Sequence, residues 1–361
     1  MNNDILYLIA LKHCPNIGDS IIKKLISKFG TAQKAWFSNH TEILTIYNIG
    51  KKTIQYIGNE SILSQAQKEI QYCNKNQIKI IHLWENEYPS LLKECPDAPV
   101  LIYYKGNIKW NIPSLSIVGT RKMTSYGKNF AEDLVECLKD RKINIISGLA
   151  LGIDSCAHKK SVEMNIPTLG VLAHGLQTIY PPQHQLLAEK MTENGGVLSE
   201  FALNIKPERA NFIQRNRIIA GLSTITVIIE SAYGGGAIST TKFANSYNRD
   251  VFALPGKITD TTSQGCNRLI RNLEAQIITR PDDILSLLGE NNLKNNQQEL
   301  FIELTEQETA IVNFLKEKGK TQIDNLALEF NTPTHMLMSI LLDLELKNKI
   351  IPLPGKYFSI A

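Results

Sequence analysis

The stretch SIVGTRKMTSYG, residues 116–127, decides how this sequence reads. A short apolar run ends in Gly-Thr-Arg, and a helix-like segment begins a few residues later. A strand that turns through glycine into a helix start is where an open α/β sheet grips phosphate, because free backbone N–H groups and the helix dipole meet the anion together. The stretch is neither G-x-G-x-x-G nor G-x-x-x-x-G-K-[ST]. It has Gly119, then Thr120 and Arg121. Gly119 lets backbone approach an oxygen closely, the helix from Tyr126 offers N–H groups, and Arg121 adds a planar charged fork. Together they suit one phosphate. An Arg121 bridged to a carboxylate at the sheet edge is the competing reading.

Outward from this loop, residues 112–288 alternate strand and helix. The expected strands are Leu115–Val118, Asn144–Ser147, Thr168–Ala173, Val197–Ser199, Thr224–Glu230 and Val251–Leu254, with helices such as Tyr126–Lys139 and Ile153–Met164 between them. Such alternation implies right-handed βαβ units and a parallel sheet. The fold class is therefore α/β, with an extended Rossmann-like parallel-sheet central domain. Ligands of these sheets bind at the carboxyl ends of the strands, and four glycine-containing loops (GTR, SGLALG, AHG, ESAYGGG) follow predicted strands.

Residues 1–75 read as an all-α domain. CPNIGDSIIKKLISKF and IYNIGKKTIQYI echo each other in the manner of helix-hairpin-helix units, but each lacks the second glycine, so Gly18 and Gly50 read as helix-joining turns. Residues 76–111 are a proline-marked connector, and 289–300 an Asn/Gln-rich linker. Residues 301–361 hold helix candidates at Glu306–Lys318, Gln322–Phe330 and Thr334–Lys347, then a Gly-turned hairpin, the order of a winged helix. The Thr334–Lys347 helix is mostly apolar with Asp343 and Glu345 near its end; a phosphate-facing helix should be basic. A protein-contact role fits it better than DNA reading.

The chain of 361 residues is 43% hydrophobic and 20% charged, with no long apolar run and no basic leader, so a soluble cytoplasmic protein without a membrane span is expected. Its six cysteines form no C-x-x-C and read as reduced. The net charge of +4 decides little, but all nine arginines lie between Arg121 and Arg280. Arginine suits bidentate phosphate contacts, so the middle segment is where an anion would be read.

Three further stretches bear on chemistry. KPER and NFIQRNRIIAGLS place Lys206, Arg209, Arg215 and Arg217 around Phe212. Arg209 and Phe212, three apart, share a helix face; a cation beside an aromatic ring is the means of holding single-stranded nucleic acid. Equally, Phe212 is core and the arginines pair with Glu200 and Glu208. ESAYGGGAISTTKFA sets a nest of N–H groups at Gly235 and Gly236 ahead of a helix carrying Lys242, with Glu230 either an acid catalyst or a cap. In ISGLALGIDSCAH, Asp154 and His158 read as a helix-stabilising pair, since no nucleophile completes a triad. No Walker lysine and no paired acidic cluster for Mg²⁺ is present, so no cofactor or metal is called for, and the pattern favours binding over catalysis.

Taken in order, SIVGTRKMTSYG, ISGLALGIDSCAH, TLGVLAHGLQTIYPPQH, GGVLSEF, NFIQRNRIIAGLS, GGGAISTTKFA and VFALPGK…SQGCNRLIR span residues 115–275 and strongly resemble the DNA-processing protein A family, also called DprA or Smf. The resemblance implies a non-enzymatic recombination mediator that binds and protects incoming single-stranded DNA in natural transformation and loads RecA recombinase, working as a homodimer through the Rossmann-like domain. By motif position it implies DNA contacts from Gly119, Thr120 and Arg121, from Arg209, Phe212 and Arg217, and from Gly235, Gly236 and Lys242. This chain departs from the family in reading Gly-Gly-Gly where a serine is usual at position 234, which removes a hydroxyl and keeps the nest. The dimer surface is placed near Leu269–Ile278. Two alternatives stand beside this. One is a nucleotide phosphoribohydrolase-like enzyme on the same fold, whose loop glutamate is missing here; the other is a winged-helix transcription regulator.

Overall fold

The structure, a computed structural model, describes residues 3–285, 287, 305–347, 349–353 and 355–360. The chain divides into two compact units, Met1–Glu290 and Asn291–Ala361. The linker expected at 289–300 lies outside the described residues.

The first unit opens with helices α1 (Asn3–His13), α2 (Asp19–Phe29), α3 (Ala32–Phe37), α4 (His40–Ile43), α5 (Lys51–Ile54) and α6 (Glu60–Lys75). Gly18 and Gly50 are the N-caps of α2 and α5, in extended conformation, so each serves as a turn into a helix. There follow β1 (Lys79–His82), α7 (Ser90–Lys93), β2 (Leu101–Gly106), β3 (Ser114–Gly119), α8 (Ser125–Glu136), β4 (Asn144–Ser147), α9 (Ile153–Glu163), β5 (Thr168–Val171), α10 (Gln185–Met191), β6 (Gly195–Ser199), α11 (Arg209–Gly221), β7 (Ile225–Ile229), α12 (Gly236–Ser246), β8 (Asp250–Ala253), α13 (Gln264–Arg271) and β9 (Gln276–Ile277).

The strands form one sheet in the order β1-β2-β6-β5-β4-β3-β7-β8-β9. From β6 to β9 all neighbours are parallel, with Leu115 opposite both Ile145 and Ile225. Side chains alternate between two cores. Leu115, Ile117, Ile225 and Val227 pack with α8 and α9 on one face; Val118 and Ile228 pack with α11, α12 and α13 on the other. A parallel sheet covered on both faces needs apolar residues at every position, which is why these strands read as continuous hydrophobic runs. The chain leaves β3 toward β4 on one side and returns to β7 on the other. That reversal opens a crevice at the carboxyl ends of β3 and β7.

The segment 76–111 is more than a connector. It supplies β1 and β2, which pair antiparallel with each other, and β2 pairs antiparallel with β6, Tyr103 standing opposite Ser199. Pro89, Pro96 and Pro99 lie between these strands and not within them, so the ladder is intact. Val100 and Leu101 also pack into the core of the helical segment, which makes helices and sheet one unit.

The second unit contains α14 (Glu306–Lys318), β10 (Thr321–Gln322), α15 (Ile323–Glu329), α16 (Thr334–Leu346), β11 (Ile350–Leu353) and β12 (Tyr357–Ile360), with the strands in the order β10-β12-β11. Thr305 and Glu308 form a capping box at the start of α14. Leu337, Leu341 and Leu344 of α16 close the core over Ile311, Leu326 and Phe358. Among the described residues no helix is long and apolar enough to cross a membrane.

The expected Asp154–His158 pair does not form. Asp154 turns back to accept the N–H groups of Gly148 and Ala150, at 3.1 and 3.4 Å. His158 is fully buried, with Nδ1 2.7 Å from the Thr168 hydroxyl. Burial pushes its imidazole down to about 3, and His184 and Arg215 push the same way. The unfolded chain therefore binds a proton that the folded one refuses. The stability held by neutral His158 is complete above pH about 6.5 and is lost as pH falls toward 3, at up to ~1.4 kcal/mol per pH unit. His158→Gln should be less stable at neutral pH and show a shallower loss of urea stability across that window; an unchanged slope would contradict this.

Candidate functional site

At the β3/β7 crevice the structure has a cleft of about 630 Å³. Its walls are the loop after β3 (Gly119, Thr120, Arg121), the loop after β4 (Ala150), the start of α11 (Arg209, Phe212) and the glycine loop after β7 (Gly234, Gly235, Gly236). Four segments distant in sequence meet because each follows or precedes a strand at the same sheet edge.

The loop after β3 is fixed from two sides. The Thr120 N–H donates to the Glu230 carbonyl at 2.7 Å, and the Ile153 N–H donates to the Thr120 carbonyl at 3.2 Å. The Thr120 hydroxyl accepts the Lys122 N–H. Gly119 is needed for packing: a Cβ there would lie 1.9 Å from the Ile229 carbonyl oxygen, so the oxygen it admits belongs to β7. Glu230 is buried and accepts both the N–H and the hydroxyl of Thr124, the N-cap of α8. It is thus a cap, one of its two expected roles.

Aromatic and cationic groups are interleaved within the cleft. The Arg121 guanidinium lies 5.2 Å from the Phe212 ring centroid and that of Arg215 5.8 Å from it. Tyr180, 44% exposed, meets the same ring edge-on at 5.9 Å. Arg215 is buried beneath and donates to the carbonyls of Gly148 and Val171. Burial pushes its guanidinium down to about 10; Asp154 opposes that push and Arg121 adds to it, so Arg215 still carries its charge at neutral pH. Asp154 is the only carboxylate among the described lining residues, against the guanidinium groups of Arg121, Arg209 and Arg215. Burial raises its carboxyl from the ordinary range, while Arg215 and backbone N–H groups pull it down. The glycine loop ends at α12, whose N-cap Gly235 offers no side-chain cap; Asn216 of α11 reaches across to the Gly236 carbonyl and the Ser239 hydroxyl.

Of the residues expected from sequence, Gly119, Thr120, Arg121, Arg209, Phe212, Gly235 and Gly236 come together here. Two do not. Arg217 is 8% exposed and is bonded to the Glu200 carboxylate and the Asp97 carbonyl on the far side of α11. Helical geometry explains the difference: Phe212 and Arg215 are three apart and share a face, whereas Arg217 is turned about 200° from Arg215. Lys242 is exposed on α12, likewise two residues from the cleft-lining Thr240 and so on another face. Sequence reasoning left out Tyr180 and Asn216, and did not separate Arg215 from Arg217; the i, i+3 spacing from Phe212 was the signal that could have done so.

Residues 79–289 match the family described as DNA recombination-mediator protein A, and residues 300–356 match the DprA winged helix domain. The chain belongs to the DprA/Smf family. It is 35% identical over 304 residues to Protein Smf of Synechocystis, covering 82% of this chain and 76% of that one. It is 36% identical over 278 residues to Protein Smf of Escherichia coli, covering 75% and 74%. The X-ray structure of DprA from Streptococcus pneumoniae superposes with a TM-score of 0.65 at 28% identity, over 78% of this chain and 97% of that one. The DNA processing protein A of Helicobacter pylori, solved for its single-stranded DNA binding mode, superposes with a TM-score of 0.53 at 26% identity, over 59% and 95%.

Two substitutions probe how the two faces of α11 are held, one under the cleft and one away from it. A Cβ on Gly148 would lie 2.5–2.7 Å from the Arg215 guanidinium. Gly148→Ala should therefore force Arg215 off its carbonyls and lower stability by about 1–3 kcal/mol, read from urea unfolding. Arg217→Ala leaves Glu200, 2% exposed, without its cation; the loss should be about 3–5 kcal/mol. Wild-type midpoints would contradict either expectation.

Proposed function

We propose that this chain binds single-stranded DNA in the β3/β7 cleft and serves as a recombination mediator, protecting incoming DNA in natural transformation and passing it to RecA recombinase. It acts in the cytoplasm, without catalysis and without a cofactor. The observation that carries this is the Arg121–Phe212 contact in a cleft whose described lining has three arginines and one carboxylate. The guanidinium takes a phosphate and the ring takes a base face. The uncapped start of α12 adds backbone donors for a neighbouring phosphate. The single-stranded DNA binding of the Helicobacter pylori relative supports the same ligand.

The working unit is a homodimer. At the sheet edge formed by β9, Leu273 is 92% and Ile277 53% exposed, which supports an association surface near the expected Leu269–Ile278. Against the regulator alternative, α16 contains no Lys or Arg and exposes Met336, Met338 and Leu342. Against the phosphoribohydrolase alternative, Asp154, the only carboxylate among the described lining residues, is spent on backbone N–H groups.

Fluorescence anisotropy with oligothymidylate and a matched duplex at two salt concentrations tests the proposal. Single strands should bind better than duplex. Arg121→Ala should weaken them and lower the salt slope by about 0.7. Phe212→Ala should cost about 1–3 kcal/mol, and because ring and guanidinium touch, the double variant should lose less than the sum. A folded Phe212→Ala protein with wild-type affinity removes the stacking claim. Hydrolysis of nucleoside 5′-monophosphates would favour the enzyme alternative, and tight duplex binding that survives Arg121→Ala the regulator.

A further inference from the structure

Within the glycine loop, Tyr233 stands apart. Ser231, Ala232 and Gly234 line the cleft, while Tyr233 lies outside it with 70% of its surface exposed. Its ring is not bare. The Arg268 guanidinium lies 4.7 Å from the ring centroid, within cation–π range. Arg268 comes from α13, and α13 is fastened to the loop: the Gly265 N–H donates to the Ser231 carbonyl at 2.7 Å, and a Cβ at 265 would lie 2.5 Å from that oxygen. Ring and guanidinium are therefore held by two elements locked together. Among the described residues the ion-paired arginines are Arg217, Arg249 and Arg280, and Arg268 has no ion pair with a described carboxylate.

The pairing repeats the one inside the cleft, where Arg121 lies 5.2 Å from Phe212. The glycine loop connects the two, with its cleft-lining residues on one side and Tyr233 at its outer tip. An exposed aromatic beside a guanidinium offers a base a π-face and its phosphate a charge. We propose that Tyr233 and Arg268 form a second stacking platform outside the cleft, over which the single strand continues from the Phe212 position. This rests on the cleft being a single-strand site, and it makes the footprint on each chain longer than the cleft alone.

The test compares oligothymidylates of about four and about sixteen nucleotides, each binding the full chain, with Arg121→Ala run in parallel. Tyr233→Ala should weaken the long strand about 5-fold or more and leave the short one unchanged. Tyr233→Phe, which keeps the ring, should restore wild-type binding. Arg268→Ala should weaken the long strand and lower its salt slope by about 0.7. Because Tyr233 is exposed, its variants should keep the wild-type thermal midpoint. If Tyr233→Ala binds the long strand like wild type while Arg121→Ala weakens both, the platform is wrong and the cleft site stands. Equal losses on both lengths would also overturn the platform, since Tyr233 would then serve the cleft itself. If Arg121→Ala leaves both strands unaffected, the single-strand site fails, and the platform with it.

Discussion

The buried guanidinium of Arg215 is the contact on which the site depends. A charge taken out of water must be met by dipoles or counter-charge. Here the loop after β4 gives the Gly148 carbonyl and the end of β5 the Val171 carbonyl, while Asp154 of α9 stands opposite as the counter-charge. Asp154 in turn gathers the N–H groups of Gly148 and Ala150. Two strand ends and two helices are thus tied through one side chain. Phe212, three residues earlier on α11, rests against the same guanidinium. The aromatic face offered to the cleft is positioned by an ion that itself lies out of reach of solvent.

Where periodicity is strong, the sequence already carries the structure. Asn144–Ser147 is a strand with the bounds its apolar run suggests, and α9 begins at the expected Ile153. The parallel order follows from strand–helix alternation. β1 was not legible, because Lys-Ile-Ile-His is too short a run to separate from a loop, and the prolines after it suggested a connector. Tertiary pairing to β2 makes it a strand. At the site, glycines and arginines were legible as types, but direction was not. Arg215 and Arg217 look equivalent in the string RNR, yet one supports the cleft and the other neutralises Glu200. Likewise Asp154 and His158 have the spacing of a pair, and each finds a stronger partner off its own helix. Spacing gives proximity along one element; which neighbour wins depends on elements far away in sequence.

The same accounting bears on what the acidic side chains around the cleft are free to do. A general acid or base needs an oxygen or nitrogen within reach of the reacting group and free to exchange a proton. Asp154 and Glu230 are buried and direct their oxygens at backbone N–H groups and the Thr124 hydroxyl. They are structural parts of the loops that present Arg121 and the glycine nest.

What remains exposed to a ligand is a set of donors and rings: Arg121, Arg209, the start of α12, Phe212 and Tyr180. Arg121 packs on Phe212, so the two are already partly satisfied by one another. A ligand with only a phosphate, or only a base, would have to break that contact and replace one half of it. In the proposed complex, a nucleotide strand would replace both halves together, phosphate to guanidinium and base to ring. On the proposed reading, the contact would favour a polymer in which charge and aromatic surface arrive at a fixed spacing over a simple anion.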